Sequence, residues 1–164
     1  MTATALKSWL LMPLLALAAP LSAADLTDPA PLTIWEGDPS VILGAADVDI
    51  EVFKWRARPV VIFADSADDP AFKKQLELLT AQMDELVERD VVLIIDTNLD
   101  ERSDLRTKLR PRGFMLTLIG KDGGVKLRKP FPWDVRELTR QIDKMPIRRQ
   151  EIVDAKAAAA AASE

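Results

Sequence analysis

Asp65, Ser66, Asp68 and Asp69 put four oxygen-bearing side chains within five residues, just ahead of Pro70. Grouped carboxylates can ligate a hard cation or share acid–base work across a scissile bond. Their spacing does not match a calcium loop, and acids ahead of a proline are what the first turn of a helix favours. The expectation is a helix cap with no metal. An enzyme of non-thiol type that uses Asp65, Asp68 and Asp69 stays open as the alternative.

Other chemistries are excluded by composition. The 164 residues contain no cysteine, no histidine and no tyrosine. Thiol redox chemistry, thiolate metal ligation and disulfide exchange therefore have no residue to run on. The usual near-neutral general base is missing too. Any active site would have to be assembled from Asp, Glu, Lys, Arg, Ser and Thr. No spacing marks one, and no cofactor is expected.

Charge is the clearest pointer to partners. The net formal charge is −4, but it is unevenly spread. Residues 25–104 hold 7 basic and 19 acidic side chains, whereas residues 105–149 hold 13 basic and 4 acidic ones. The basic half includes Lys126 and Arg128 on one strand face and Arg136, Arg140 and Lys144 on one helix face. It also includes Arg148 and Arg149. These cations read either as solvated faces or as a surface for an anionic glycan, a lipid head group or an acidic protein. Lys126, Arg128, Arg148 and Arg149 are the candidate contacts. A third reading is self-association of acidic and basic halves.

The first 24 residues read as a leader: Lys7 gives a positive start, Leu10 to Leu21 an apolar stretch, and Ser22-Ala23-Ala24 a small-residue cleavage site. The stretch is too short to span a bilayer, which takes roughly 20 apolar residues. The expected product is periplasmic or secreted, has no membrane span and is an improbable partner for nucleic acid. Four segments follow: a leader over 1–24, an extended lead-in over 25–52, one domain over 53–151 and an alanine-rich tail over 152–164.

Elements must hold these residues in place. In the lead-in, Pro29, Pro31 and Pro39 argue for extended chain, with Leu32 to Trp35 pairing at a sheet edge. Trp35 and Trp55 read as packing anchors. Val60 to Phe63 and Val91 to Asp96 read as buried strands. Between them Phe72, Leu76, Leu79, Met83, Leu86 and Val87 make one long amphipathic helix, with Gln75 on its polar face. A short helix is expected over Glu101 to Leu109, facing the sheet through Leu105 and Leu109. Phe114 to Arg128 reads as a β-hairpin with a Lys-Asp-Gly-Gly turn. Asp134 to Glu137 fits a capping box for a last helix that Pro146 stops. The alanine run is expected to be a frayed extension.

This order gives an α/β domain: a βαβ half and a ββα half around one central mixed sheet, which is the thioredoxin-like arrangement. Phe114 to Arg128, together with Ile142-Asp143-Lys144-Met145-Pro146-Ile147-Arg148-Arg149-Gln150-Glu151, resembles the DUDES-type domain of unknown function. That domain occurs in small exported bacterial proteins and within animal matrix proteins such as equarin and the sushi-repeat proteins. The resemblance covers about Phe53 to Glu151, and the Met-Pro-x-Arg-Arg-x-Glu ending is its most specific part. It implies a thioredoxin- or peroxiredoxin-like fold and, in animals, roles in adhesion and matrix. It supplies no catalytic residues. Where a thioredoxin carries its redox pair this chain reads Ser66-Ala67-Asp68-Asp69, and Met115 stands near the usual cis-proline. The expected function is an exported binding or scaffolding module without catalysis. A degenerate peroxiredoxin-like protein is a further alternative.

Overall fold

Two β-branched runs fix the centre of the molecule. Strand β2 (Arg58–Phe63) is buried along its whole length, and β3 (Val91–Asp96) is buried except at the half-covered Ile95. A strand covered on both faces carries apolar residues without alternation, and these two lie parallel, with Val60 opposite Leu93 and Phe63 opposite Asp96. The computed structural model describes residues 30–46 and 48–163. The leader expected over 1–24 lies outside them.

Three further strands complete a five-stranded sheet: β1 (Ile42–Gly44), β4 (Met115–Ile119) and β5 (Val125–Lys129), in the order β1-β3-β2-β4-β5. β1 is parallel to β3, β4 antiparallel to β2, and β5 antiparallel to β4. A parallel βαβ half joined to an antiparallel ββα half in this order is the thioredoxin-like fold. The hairpin forms where expected. Gly123 takes φ 79, a left-handed turn position that favours glycine.

Helices α1 (Pro31–Gly37) and α4 (Asp104–Leu109) cover one face together with a 3-10 turn at Ile50–Phe53. Trp35, Phe53, Val61, Phe63, Ile94, Leu105 and Leu109 pack there. The other face is covered by α2 (Pro70–Thr80), α3 (Met83–Val87) and α5 (Val135–Asp143), over Val60, Ile62, Leu79, Leu86, Leu116, Leu138 and Ile142. The final helix, α6 (Pro146–Ala161), buries no residue.

The structure corrects the sequence reading in six places. Leu32 to Trp35 form part of α1 and not an edge strand, because Pro31 occupies the first helical turn, where its missing N–H costs nothing. The edge is β1. The long helix is two, since Gln82 leaves the helical region at φ −133, ψ 41 and the Thr80 hydroxyl bonds back to the Leu76 carbonyl at 2.9 Å. Gln75 is fully buried, because its amide exchanges hydrogen bonds of 3.0 and 2.6 Å with the Trp133 backbone. Helix α4 begins only at Asp104, where the Ser103 hydroxyl accepts from the Arg106 amide at 3.0 Å. Pro146 does not merely end a helix: Met145 is extended, at φ −67, ψ 138, and the proline opens α6, which runs regularly through the alanines. Trp35 is the expected anchor, edge-on to Phe53 at 6.4 Å, but Trp55 is 64% exposed on a left-handed backbone with φ 65.

At the N-terminal end of β2, charge does the packing. Arg58 is fully buried, and its guanidinium donates to the Arg89 carbonyl at 2.8 Å and to both Glu151 oxygens at 2.9 and 3.0 Å. Lys121 bridges Asp90 at 2.7 Å and Glu151 at 2.8 Å. Arg89 grips Asp143 with two bonds, of 3.0 and 3.1 Å, and Arg148 reaches Glu88 at 3.1 Å, Glu151 at 3.5 Å and Asp143 at 3.6 Å. Burial pushes the Glu151 carboxyl up, but hydrogen bonds from Lys121 and Arg58 outweigh it and hold the group below its ordinary 4.5.

Removing Glu151 leaves a buried cation without its partner, so Glu151→Ala should cost about 2–3 kcal/mol in urea unfolding. Because the folded carboxyl titrates below the unfolded one, its contribution is present above pH 4.5 and is lost as pH falls through the lower folded value. The difference between wild type and Glu151→Gln should shrink over that acid range. A difference that stays constant below pH 4.5 would contradict the assignment.

Candidate functional site

In a sheet of this topology, loops that follow parallel strands gather beyond the strand C-termini, where ligands of α/β folds commonly bind. Here those loops are residues 64–69 after β2 and 97–103 after β3. Asp96 ends β3 with its side chain 3% exposed and anchors both. One oxygen accepts from the Ser103 hydroxyl at 2.5 Å, and the other accepts from Arg106 Nε at 3.1 Å and Nη2 at 2.7 Å. Arg106 Nη2 also donates to the Ala64 carbonyl at 2.8 Å, and the guanidinium lies 5.6 Å from the Phe63 ring centre. Arg106 is thus 10% exposed and held by both loops. Its Nη1 makes no hydrogen bond among the described residues; the nearest carboxylate there is Asp65 at 4.0 Å.

Arg106 lines a cleft of about 400 Å³ with Leu99, Arg102, Thr107, Arg110 and Pro111. Arg102 precedes the Ser103 cap, Arg106 lies within α4 and Arg110 ends it, so the cleft draws one arginine from the loop, one from the helix and one from its C-cap. Arg102 and Arg110 are exposed and have no ion pair among the described residues. Arg110 caps α4 in the left-handed region at φ 49. Chemically the cleft joins one fixed guanidinium to two exposed arginines, with Leu99 and Pro111 as its apolar lining. Such a set binds oxyanions. Its signal in the sequence was the four-residue spacing of the arginines. Interleaved Glu101, Ser103 and Asp104 obscured it.

The residues singled out by sequence fall in several places. Asp69 accepts from the Ala71 and Phe72 amides at 2.7 and 3.1 Å and caps α2. Asp68 is outermost, and the Lys73 ammonium that hydrogen-bonds it at 2.8 Å holds its carboxyl below the usual range. Asp65 alone of the three stands beside Arg106. Among the described residues no group of three or more His, Cys, Asp or Glu is placed to hold a metal ion. Met115 opens β4 opposite Phe63, beside the same loop.

Of the four candidate cations, Lys126 pairs with Asp122 at 2.5 Å, and that ammonium keeps the Asp122 carboxyl below its ordinary range. Lys126 also lines a hollow of about 170 Å³ with Met145, Pro146 and Ile147, at the start of the helix that carries Arg148 and Arg149. Arg128 points elsewhere: its Nη1 donates to the Leu109 carbonyl at 2.6 Å, at the C-terminus of α4. Arg148 is 12% exposed within its three carboxylates, and Arg149 is exposed. The structure therefore divides the four between two places.

The family described as "domain of unknown function (DUF4174)" matches residues 49–151. The chain belongs to the DUF4174 family. This agrees with the resemblance read from the hairpin and the Arg-Arg ending. A curated relative, Coiled-coil domain-containing protein 80 of Danio rerio, is 30% identical over 130 residues, covering 61% of this chain. The chain spans 15% of that relative's length. Among solved structures, chloroplastic thioredoxin z aligns with a TM-score of 0.49 and 22% identity, over 63% of this chain and 96% of its own. A yeast mitochondrial 1-Cys peroxiredoxin aligns at 0.48 and 17%, over 65% and 97%. This chain combines the strand order β1-β3-β2-β4-β5 with a sequence that has no cysteine. Among its described residues no helix is long and apolar enough to cross a membrane.

The carboxylates of the 65–69 loop have distinguishable roles. Asp69→Ala removes an N-cap and should cost about 1 kcal/mol, whereas the exposed Asp68→Ala should leave the unfolding midpoint essentially where it is. Urea midpoints of the two variants check this. Equal losses would contradict the capping assignment.

Proposed function

We propose that this domain is an exported, non-catalytic binding module that takes an anionic partner at the C-terminal end of its parallel strands. One observation carries the reading: Arg106 is held by Asp96 and the Ala64 carbonyl, with Nη1 making no hydrogen bond among the described residues, at a cleft that Arg102 and Arg110 also line. A guanidinium fixed before the ligand arrives loses little side-chain entropy on binding, which raises affinity and selects geometry. Export is supported by the leader pattern over residues 1–24. An enzyme on the acidic loop has weaker support, because Asp69 is committed to the helix cap and Asp68 to Lys73.

The cations expected from the sequence enter this reading unequally. Arg148 serves folding through Glu88, Asp143 and Glu151. Arg128 supports the end of α4 beside the cleft. Lys126 and Arg149 add long-range field.

Affinity chromatography on an anionic matrix tests the proposal. Arg102→Gln or Arg110→Gly should shift elution to clearly lower salt, and Lys126→Gln or Arg149→Gln should shift it less. Arg110→Gly is the sharper probe. Its backbone is left-handed, so glycine there should keep or raise stability, by up to about 1 kcal/mol, while anion retention falls. Retention that follows Lys126 and Arg149 and ignores Arg102 and Arg110 would overturn the site.

A further inference from the structure

The anion-binding reading leaves the ligand's chemistry open, and the shape of the cleft narrows it. Arg102, Arg106 and Arg110 line one cleft, and a terminal phosphate offers three oxygens to guanidinium donors. A polymer of sulfates or carboxylates would instead need cations spread along an open track. Beyond the exposed Arg112, the cations singled out in the sequence do not extend the cleft into such a track: Lys126 is paired with Asp122, Arg148 with three carboxylates, and the Arg128 guanidinium donates to the Leu109 carbonyl. The cleft holds about 400 Å³, far more than one inorganic oxyanion fills, and Leu99 and Pro111 line it with apolar surface. The ligand therefore carries an organic body beside its charge.

We infer that the cleft formed by Leu99, Arg102, Arg106, Thr107, Arg110 and Pro111 binds a phosphate monoester, with the phosphate on the three guanidinia and the organic group against Leu99 and Pro111. This rests on the anion-binding reading above. Arg106 supplies the fixed donor through Nη1, and Arg102 and Arg110 close on the remaining oxygens. The Thr107 hydroxyl adds a neutral donor at the same wall. Asp65, 4.0 Å from Nη1, opposes the ligand's charge and competes for the same nitrogen. The site is thus tuned for reversible capture, and Asp65 sets its strength.

Isothermal titration calorimetry on the whole chain tests this with phenyl phosphate, inorganic phosphate, benzoate and a heparin oligosaccharide as probes. Phenyl phosphate should bind at least about tenfold tighter than inorganic phosphate or benzoate. Arg110→Gly should weaken it by about tenfold or more, and Asp65→Asn should strengthen it several-fold. Thermal unfolding of each variant separates lost binding from lost folding. Sedimentation with phosphatidylcholine vesicles, with and without phosphatidic acid, tells a lipid source from a soluble one; binding dependent on Arg110 to either source supports the inference. Tighter binding of heparin or benzoate through the same arginines would overturn the phosphate-monoester assignment and leave the anion-binding reading standing. If none of the probes binds, both fall.

Discussion

A fully buried arginine is the constraint from which most of the lower half of this domain follows. Arg58 begins the central strand, where no water reaches its guanidinium. Burying an unpaired cation costs several kcal/mol, so carboxylates and carbonyls must be brought to it. The Arg89 carbonyl comes from the turn before β3, Asp90 from the same turn at 3.7 Å, and Glu151 from a helix 93 residues further along the chain. Lys121, at the tip of the hairpin, is drawn in because Asp90 and Glu151 each need a second cation. The family-specific ending becomes intelligible as a consequence. Pro146 starts α6, and Arg148 and Glu151 lie one turn apart on the side that meets the network. Its role at those two positions is to close a charge cluster.

The two ends of the sheet handle charge in opposite ways. At the lower end each cation of the cluster meets one or more carboxylates, and the outcome is packing. At the upper end Asp96 fully engages one arginine and leaves two more without ion pairs among the described residues. Asp96 spends its second oxygen on Ser103, so the loop carrying Arg102 is fixed at one point while the Arg102 side chain stays exposed. An uncompensated group of cations beside a rigid one costs little in water, because exposed charges are well screened.

Sequence carried the sheet well because its signals are local. Val91 to Ile95 cannot satisfy a helix period and a buried strand at once, and the Lys-Asp-Gly-Gly turn demands glycine chemistry at its own position. It carried the helix ends less well, since proline has two readings. Pro31 and Pro146 each open a helix, and the decision lies in the extended backbone of the preceding residue, which composition does not display. Gln75 and Trp55 failed for a tertiary reason. One is buried because the Trp133 backbone offers it both a donor and an acceptor, and the other is exposed because its backbone amide is taken by the Lys121 carbonyl at 2.7 Å. The arginine cleft was hidden in the same way. Only the partnership of Arg106 with Asp96 and Ala64 separates it from its exposed neighbours.

A thioredoxin-like sheet without cysteine is best understood as a positioning device whose geometry outlasts any one chemistry. The parallel order β3-β2 makes residues 64–69 and 97–103 neighbours irrespective of what they carry. In this chain the first loop supplies a carbonyl, Ala64, and a carboxylate, Asp65, and the second leads into the helix bearing Arg106. One guanidinium therefore ties the two loops together through Nη2, while its Nη1 lies 4.0 Å from Asp65. Replacing that tie with an apolar pair would keep the loops together but leave nothing to meet a ligand. The buried ion pair of Asp96 and Arg106 is consequently a poor economy for stability alone, since a buried pair contributes little over hydrophobic packing. Its value lies in holding a charge still at the place where the fold gathers its loops.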